Sequence, residues 1–243
     1  MRPEGFSQAS TIALSVVMPV RDEALRLPKT LQALCCYAST LRIPFEVLIS
    51  DDGSRDATCQ VAQRFRTGLP LRWLTSQRRG VGNAVRQAIK AVRGQRILVC
   101  DADGAVPFEE LDKLWRALDE GHDVAVGSRR LRPQTVEVKQ RPHRVLAGRV
   151  WAHLVRLLAR VPVSDTQCGF KLFTRDAARA LLLATRSHSF AYHVESLRLA
   201  QRHGHRIAEI PVRWRDQPGS QIRLWRDPMH MFIELLTCTA RSQ

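Results

Sequence analysis

Asp101 and Asp103 stand one residue apart at the end of a short apolar run, Ile97-Leu98-Val99-Cys100, and are followed by Gly104 and Pro107. Two carboxylates this close repel each other and call for a cation. Hard oxygen donors with room for phosphate oxygens suit Mg²⁺ or Mn²⁺. A second acidic cluster, Asp51-Asp52-Gly53-Ser54, closes another apolar run. There Asp51 could accept hydrogen bonds from a base or a ribose. The two clusters together form the layout of a site for a nucleotide sugar or a nucleoside triphosphate. The plain alternative for the first cluster is a polar turn in which Asp103 caps the next helix. A bare D-x-D does not separate the two.

Carboxylates do this work only if a fold brings them to one edge. Apolar, β-branched runs at residues 14–20, 45–50, 71–75, 97–100 and 124–126 read as buried strands. Between them, residues 23–39, 57–65, 80–92 and 108–118 carry helical spacing. Further on, residues 175–183, 190–204 and 228–240 read as helices, and 207–214 as a strand placed at an edge by Pro211. This is an α/β chain with a doubly wound, mostly parallel sheet flanked by helices. Ligands of such sheets sit at the carboxyl ends of the strands, where both acidic clusters fall. The first strand-helix turn carries no G-x-G-x-x-G, and no G-x-x-x-x-G-K phosphate loop occurs.

The 243 residues, 44% hydrophobic and 25% charged, suffice for one large domain with a real core. A formal net charge of +15 implies anionic partners. Six cysteines without a C-x-x-C pair read as small core residues of a reduced, cytoplasmic protein. Residues 1–10 are polar, so no secretory signal is expected. No apolar run approaches the roughly 18 to 20 residues that span a bilayer. Residues 129–160 hold nine Lys/Arg against one acid, Glu137. Within them Arg149, His153, Arg156 and Arg160 share one helical face beside an apolar stripe of Leu146, Val150, Leu154, Leu157 and Leu158. Such a helix suits an anionic membrane surface, and it equally suits an ordinary surface helix facing the core. Nucleic acid is not the expected partner. Trp151 is the one aromatic among these basic residues, and an acidic rim opposes a polyanion.

Several motifs then occur together: Ser15-Val16-Val17-Met18-Pro19 with Glu23, Asp51-Asp52-Gly53-Ser54 with Asp56 and Thr58, and Ala84-Val85-Arg86. They continue with Asp101-Ala102-Asp103-Gly104-Ala105, Val124-Ala125-Val126-Gly127-Ser128-Arg129, Asp165-Thr166-Gln167-Cys168-Gly169-Phe170-Lys171-Leu172-Phe173, Glu195 and Pro218-Gly219-Ser220. In this order, over residues 14–223, they resemble the GT-A-fold glycosyltransferases of family 2. The resemblance is to the branch of dolichyl-phosphate β-glucosyltransferases and bacterial polyprenyl-phosphate glycosyltransferases.

The resemblance implies a GT-A, Rossmann-like sheet with a C-terminal acceptor-side segment. The expected organisation is a flexible N-terminus (1–12) and a single domain (13–243). In that domain 13–128 binds the nucleotide sugar, and 129–243 faces the acceptor through the basic amphipathic helix. The implied reaction is inverting, metal-dependent transfer of a hexose to a polyprenyl phosphate, with UDP-glucose the favoured donor and GDP-mannose the next. The alternatives are another acceptor or a catalytically impaired, sugar-nucleotide-binding relative. The implied location is cytoplasmic, peripheral to the inner face of the membrane through residues 129–160. Pro19, Val20, Glu23, Asp51, Gly53, Arg86, Asp101, Ala102 and Gln167 become the nucleotide-sugar residues. Asp101 and Asp103 become the metal ligands, and Asp103, Arg129, Glu195 and His193 the catalytic candidates. Arg141, Arg144 and Arg223 become candidates for the acceptor phosphate. The chain departs from the family at Val81 and Gln221, where lysines are usual, and at His193, where an acid is usual. Arg78 or Arg79 is placed to replace the first lysine. A histidine in a working role at 193 would add a step that titrates near neutrality.

Overall fold

The computed structural model describes residues 11–132, 136–138 and 161–217. Strand β1 (Leu14–Val20) is followed by α1 (Leu27–Ala38), β2 (Phe45–Asp51), α2 (Thr58–Gln63), β3 (Leu71–Thr75), α3 (Val81–Ala91) and β4 (Arg96–Cys100). A 3₁₀ turn (Phe108–Glu110) leads into α4 (Leu111–Asp119) and β5 (Val124–Ser128). Then come β6 (Val136–Val138), β7 (Phe170–Thr174), α5 (Arg175–Leu182), α6 (Tyr192–Arg202), β8 (Ile207–Pro211) and β9 (Trp214–Arg215).

Seven strands form one sheet in the order β3-β2-β1-β4-β7-β5-β8. Every pairing is parallel except those of β7, which runs against both β4 and β5. The central strands are buried on both faces, which is why they read as continuous apolar runs. On one face, Val16, Met18, Ile49, Leu98 and Phe170 pack with Leu31 and Leu34 of α1 and Leu114 of α4. On the other, Val17, Leu48, Val99, Val126 and Phe173 pack with Ile89 of α3, Leu181 of α5 and Leu197 of α6. The mostly parallel sheet flanked by helices is the expected architecture, and β8 with Pro211 stands at an edge.

Three features differ from the expectation. The first helix begins at Leu27 rather than near Glu23, with a proline in its first turn, where a missing N–H costs nothing. Its four leading residues form a turn closed by Leu27 N donating to Glu23 O. Next, β7, which the sequence reading did not set out as a strand, inserts antiparallel between β4 and β5. Nothing in a local period announces that direction; the long connection from β5 allows it. Last, β6 pairs in parallel with β9 as a separate small sheet.

The β7 insertion has a direct consequence for the rim. Phe170 starts β7 opposite Cys100, which ends β4. The turn before β7 therefore meets the acidic turn after β4. From the other side, Arg215 N donates to Ala105 O and Arg213 Nε to Glu110 Oε1, tying the chain around β9 to the same acidic turn.

Candidate active site

The carboxyl ends of β1, β2, β4 and β5 lie on one edge, so Val20, Asp51, Asp101 and Arg129 share a rim. Val20 pairs in register with Asp51. The two turns that follow are laced together. Asp22 N donates to Ser54 Oγ, Glu23 N to Thr58 Oγ1, Ala24 N to Asp56 Oδ2 and Arg55 N to Asp22 Oδ1. Asp22 holds a left-handed backbone, φ 51°, a conformation that aspartate tolerates better than most residues. Asp51 is buried, and its Oδ1 accepts from Ser54 N at 2.9 Å and Ser54 Oγ at 2.5 Å. Glu23 takes both guanidinium branches of Arg26, with Nε to Oε2 at 2.7 Å. Burial nonetheless raises the Glu23 carboxyl, against the pull of Arg26.

The second corner is the pair Asp101 and Asp103. Asp101 N donates to Gly169 O at 3.0 Å, and a Cβ on Gly169 would stand 1.8 Å from Asp101 Oδ2. The carboxylate thus occupies the space that a side chain at 169 would need. Thr30 Oγ1 donates to Ala102 O at 2.7 Å and fixes the turn from below. Asp103 Oδ1 accepts from Ala105 N at 3.0 Å, while Oδ2 lies 3.9 Å from Arg26 Nη1. Asp103 therefore closes a local turn and does not cap the next helix, which begins only after Pro107. Burial, and then the charge of Asp103, push the Asp101 carboxyl well above the ordinary carboxylate range, with Lys171 and Arg129 opposing. A carboxylate raised in this way is short of positive charge, and a divalent ion would supply it. Among the described residues there is no cluster of three or more protein ligands for a metal. Two carboxylates with the remaining positions left to phosphate oxygens and water is a donor set that suits Mg²⁺ or Mn²⁺.

A third group stands behind Asp101. Arg129 Nε and Nη2 donate to the two oxygens of buried Asp165, each at 2.7 Å, and Arg129 N adds a third bond at 3.0 Å. This fork holds the Asp165 carboxyl down to about 2. Glu209 in turn accepts from Ser164 N, Ser164 Oγ and Asp165 N. The Arg129 guanidinium lies 5.5 Å from the Trp214 ring. Lys171 is buried within apolar β7, donating to Thr166 O at 3.0 Å and meeting His193 Nδ1 at 2.6 Å. Gln167 Nε2 is buried with no hydrogen-bond partner, the one such side-chain atom among the described residues. An orphaned donor on the turn that meets Asp101 is a place for a ligand oxygen.

The remaining candidates meet on a loop at residues 185–188. Arg86 Nη1 donates to Thr185 O, Thr185 Oγ1 and Ser187 O, and Arg86 Nη2 to Asn83 Oδ1. Glu195 accepts from the opposite side, Oε1 from Arg186 N and Oε2 from Ser187 N, both at 2.9 Å. The glycine-rich turn presses on the same loop. A Cβ on Gly80 (φ +113°) would stand 2.4 Å from His188 O, and one on Gly82 2.3 Å from Ser187 O. Arg86 and Glu195 therefore clamp one loop between the glycine turn and α6. Their hydrogen bonds in this structure go to that loop and to Asn83. Replacing Glu195 with alanine strips the buried Ser187 amide and the half-buried Arg186 amide of their acceptor and should cost about 1–3 kcal/mol, read by denaturant unfolding. Glu195→Gln keeps one acceptor and should keep turnover within about tenfold. A thousandfold loss of turnover in a stably folded Gln variant would instead make Glu195 catalytic.

Arg141, Arg144 and Arg223 lie outside the described residues, as do the basic helix across 149–160, Gln221 and the helix expected at 228–240. Four site residues went without a role in the sequence reading: Arg26, Asp165, Gly169 and Lys171. A lysine inside the run Phe170-Lys171-Leu172-Phe173 was the one available signal, since a lone charge there must find buried partners.

The sequence profile of glycosyl transferase family 2 matches residues 15–182. A dolichyl-phosphate β-glucosyltransferase of Drosophila melanogaster is 35% identical over 234 residues, 89% of this chain and 71% of that protein. Its Homo sapiens counterpart is 35% identical over 228 residues, 87% of this chain and 70% of that protein. Among solved structures, glucosyl-3-phosphoglycerate synthase of Mycobacterium tuberculosis, in complex with Mn²⁺, UDP and glucosyl-3-phosphoglycerate, superposes with a TM-score of 0.69 at 18% identity. That match covers 94% of this chain and 80% of the other. At that identity the likeness is one of fold.

Proposed function

The chain belongs to glycosyl transferase family 2 and is a glycosyltransferase of the GT-A fold, and from that premise we propose that it transfers glucose from UDP-glucose to a polyprenyl phosphate with inversion, using Mg²⁺ or Mn²⁺. The observation that carries this reading is the Asp101–Asp103 pair, a half-buried carboxylate beside a second one at a strand end, short of positive charge. A divalent ion held there would act as Lewis acid and template on the donor diphosphate. The Mn²⁺ and UDP of the mycobacterial enzyme support the same choice of cofactor.

The bonding of the two candidate bases, Glu195 and His193, supports the choice of acceptor. Both oxygens of Glu195 are taken by backbone amides. His193 is buried, and its Nδ1 faces a lysine ammonium. Neither is placed to remove a proton from a hydroxyl. A phosphate monoester, with a second pKa of about 6, is already ionised near neutral pH and needs no such help. The names of the relatives at 35% identity, which act on dolichyl phosphate, support this acceptor class. In this reading Pro19, Val20, Glu23, Asp51 and Gly53 line the nucleoside side, and Gln167 Nε2 donates to the sugar or its phosphate. Residues 13–128 then serve mainly the donor. Residues 129–243 serve the acceptor, although Gln167 and Gly169 reach back to the donor side. Among the described residues no helix is long and apolar enough to cross a membrane. Peripheral contact through residues 129–160 at the inner face is the arrangement that their charge supports.

The test incubates the purified protein with polyprenyl phosphate in vesicles and radiolabelled UDP-glucose or GDP-mannose, with and without chelator. Labelled lipid from UDP-glucose, lost in chelator and restored by Mn²⁺, is the expected result. No labelled lipid from either donor sinks the reading and favours a binding-only relative. Lipid product that persists in chelator removes the metal from it.

A further inference from the structure

Lys171 and His193 form a contact that the reaction outlined above does not use. Lys171 lies in an otherwise apolar strand with both neighbours in the core. An ammonium carries donors and no acceptor, so the His193 nitrogen 2.6 Å from Nζ must offer a lone pair. The imidazole is therefore neutral, with its proton on Nε2. Burial, and then the charges of Lys171 and Arg129, hold its pKa well below the ordinary histidine value. Among the described residues the hydrogen-bond partners of the Lys171 ammonium are thus a neutral ring and the carbonyl of Thr166. Neither cancels its charge.

The ladder sets where that charge acts. Lys171 stands opposite Val99 in the antiparallel pair of β4 and β7, and Asp101 N bonds Gly169 O two residues along. Lys171 and Asp101 are therefore diagonal neighbours on one face, within reach of long side chains. The other cation acting on Asp101 is Arg129, whose charge is matched by the fork with Asp165. Among the described residues the Lys171 ammonium has no carboxylate bonded to it in this way, and Cys168, Asp165 and Asp101 act on it through space.

We propose that Lys171, hydrogen-bonded to a neutral His193 in place of a carboxylate, is the built-in counter-ion of Asp101, and that the residue at 193 sets how tightly the carboxylate pair takes a divalent cation. His193 is a positioning residue in this scheme. It fixes the ammonium by accepting a hydrogen bond from it and leaves the positive charge to face the rim. The inference rests on the metal reading proposed above.

The test measures Mn²⁺ affinity by titration of the free-ion EPR signal, in the absence of any sugar nucleotide. His193→Asp brings a carboxylate onto Nζ and cancels the charge that repels the incoming dication. It should bind Mn²⁺ about tenfold more tightly than the wild type. His193→Asn offers Nζ an amide oxygen and no charge, and should stay within twofold. Lys171→Met, of similar length and without charge, should tighten binding in the same direction if the Asp variant folds poorly. Equal affinities in wild type and His193→Asp overturn the inference, as does a shift in His193→Asn as large as that in His193→Asp. No Mn²⁺ uptake by the wild type overturns it together with the metal reading; uptake without the predicted shift overturns it alone.

Discussion

Asp103→Asn should lower turnover by about a thousandfold or more while leaving the protein folded. The asparagine side chain keeps the oxygen that accepts from Ala105 N, so the turn is preserved. What it loses is the charge. A metal acting as Lewis acid on a departing diphosphate supplies several kcal/mol of stabilisation, and each 1.36 kcal/mol is a factor of ten in rate. The stability cost is small because Asp103 is partly exposed and its nearest cation, Arg26 Nη1, is 3.9 Å away and already committed to Glu23. Such a contact is worth about 0–1 kcal/mol. Removing the Asp103 charge also relieves Asp101, whose carboxyl should fall toward the ordinary range. Turnover, thermal unfolding and Mn²⁺ titration separate these effects. An Asn variant that keeps more than a tenth of wild-type turnover would remove Asp103 from the chemistry. One that fails to accumulate as folded protein would make it structural.

The parts legible in the sequence share one property: their cause is local. β1 is a seven-residue buried run, and a continuous apolar stretch announces it at Leu14–Val20 without error at either end. Asp51 and Asp101 end their runs abruptly, so the rim could be drawn from charge alone. The parts that were not legible have causes far away in sequence. Arg86 became a nucleotide-sugar candidate through the family resemblance, and no local pattern shows what it bonds. Its partners at Thr185 and Ser187 are 99 and 101 residues away. Glu195 became a catalytic candidate in the same way, and its two bonds go to that same distant loop. Arg129 was found, but its pairing with Asp165, 36 residues on, was not. The direction of β7 is the deepest of these omissions. A parallel β7 would carry Lys171 and Gly169 away from Asp101. The antiparallel one places both beside it.

Gly169→Ala tests that placement most directly, and its effect should be as large as loss of a ligand. Gly169 has no left-handed backbone to protect, so alanine is not excluded by φ. The obstacle is steric. The new Cβ would stand 1.8 Å from Asp101 Oδ2 and 2.1 Å from its Cγ, distances at which something must move. The strand cannot yield easily, since β7 is paired on both sides, to β4 and β5. Asp101 must therefore swing its carboxylate away from the position beside Asp103. Turnover should fall by at least about a hundredfold, since groups that stabilise developing charge are worth roughly that when misplaced. Mn²⁺ binding should weaken in step. Overpacking of this kind costs about 1–3 kcal/mol of stability. A double-mutant cycle distinguishes the clash from a general defect in the strand. In an Asp101→Ala background the obstructing carboxylate is gone, and the stability cost of Gly169→Ala should shrink to near zero, because effects of residues in contact are not additive. An equal cost in both backgrounds would mean that Gly169 serves the backbone of β7 and not the position of Asp101. The glycine in Cys168-Gly169-Phe170 would then have no part in building the carboxylate pair on which the site depends.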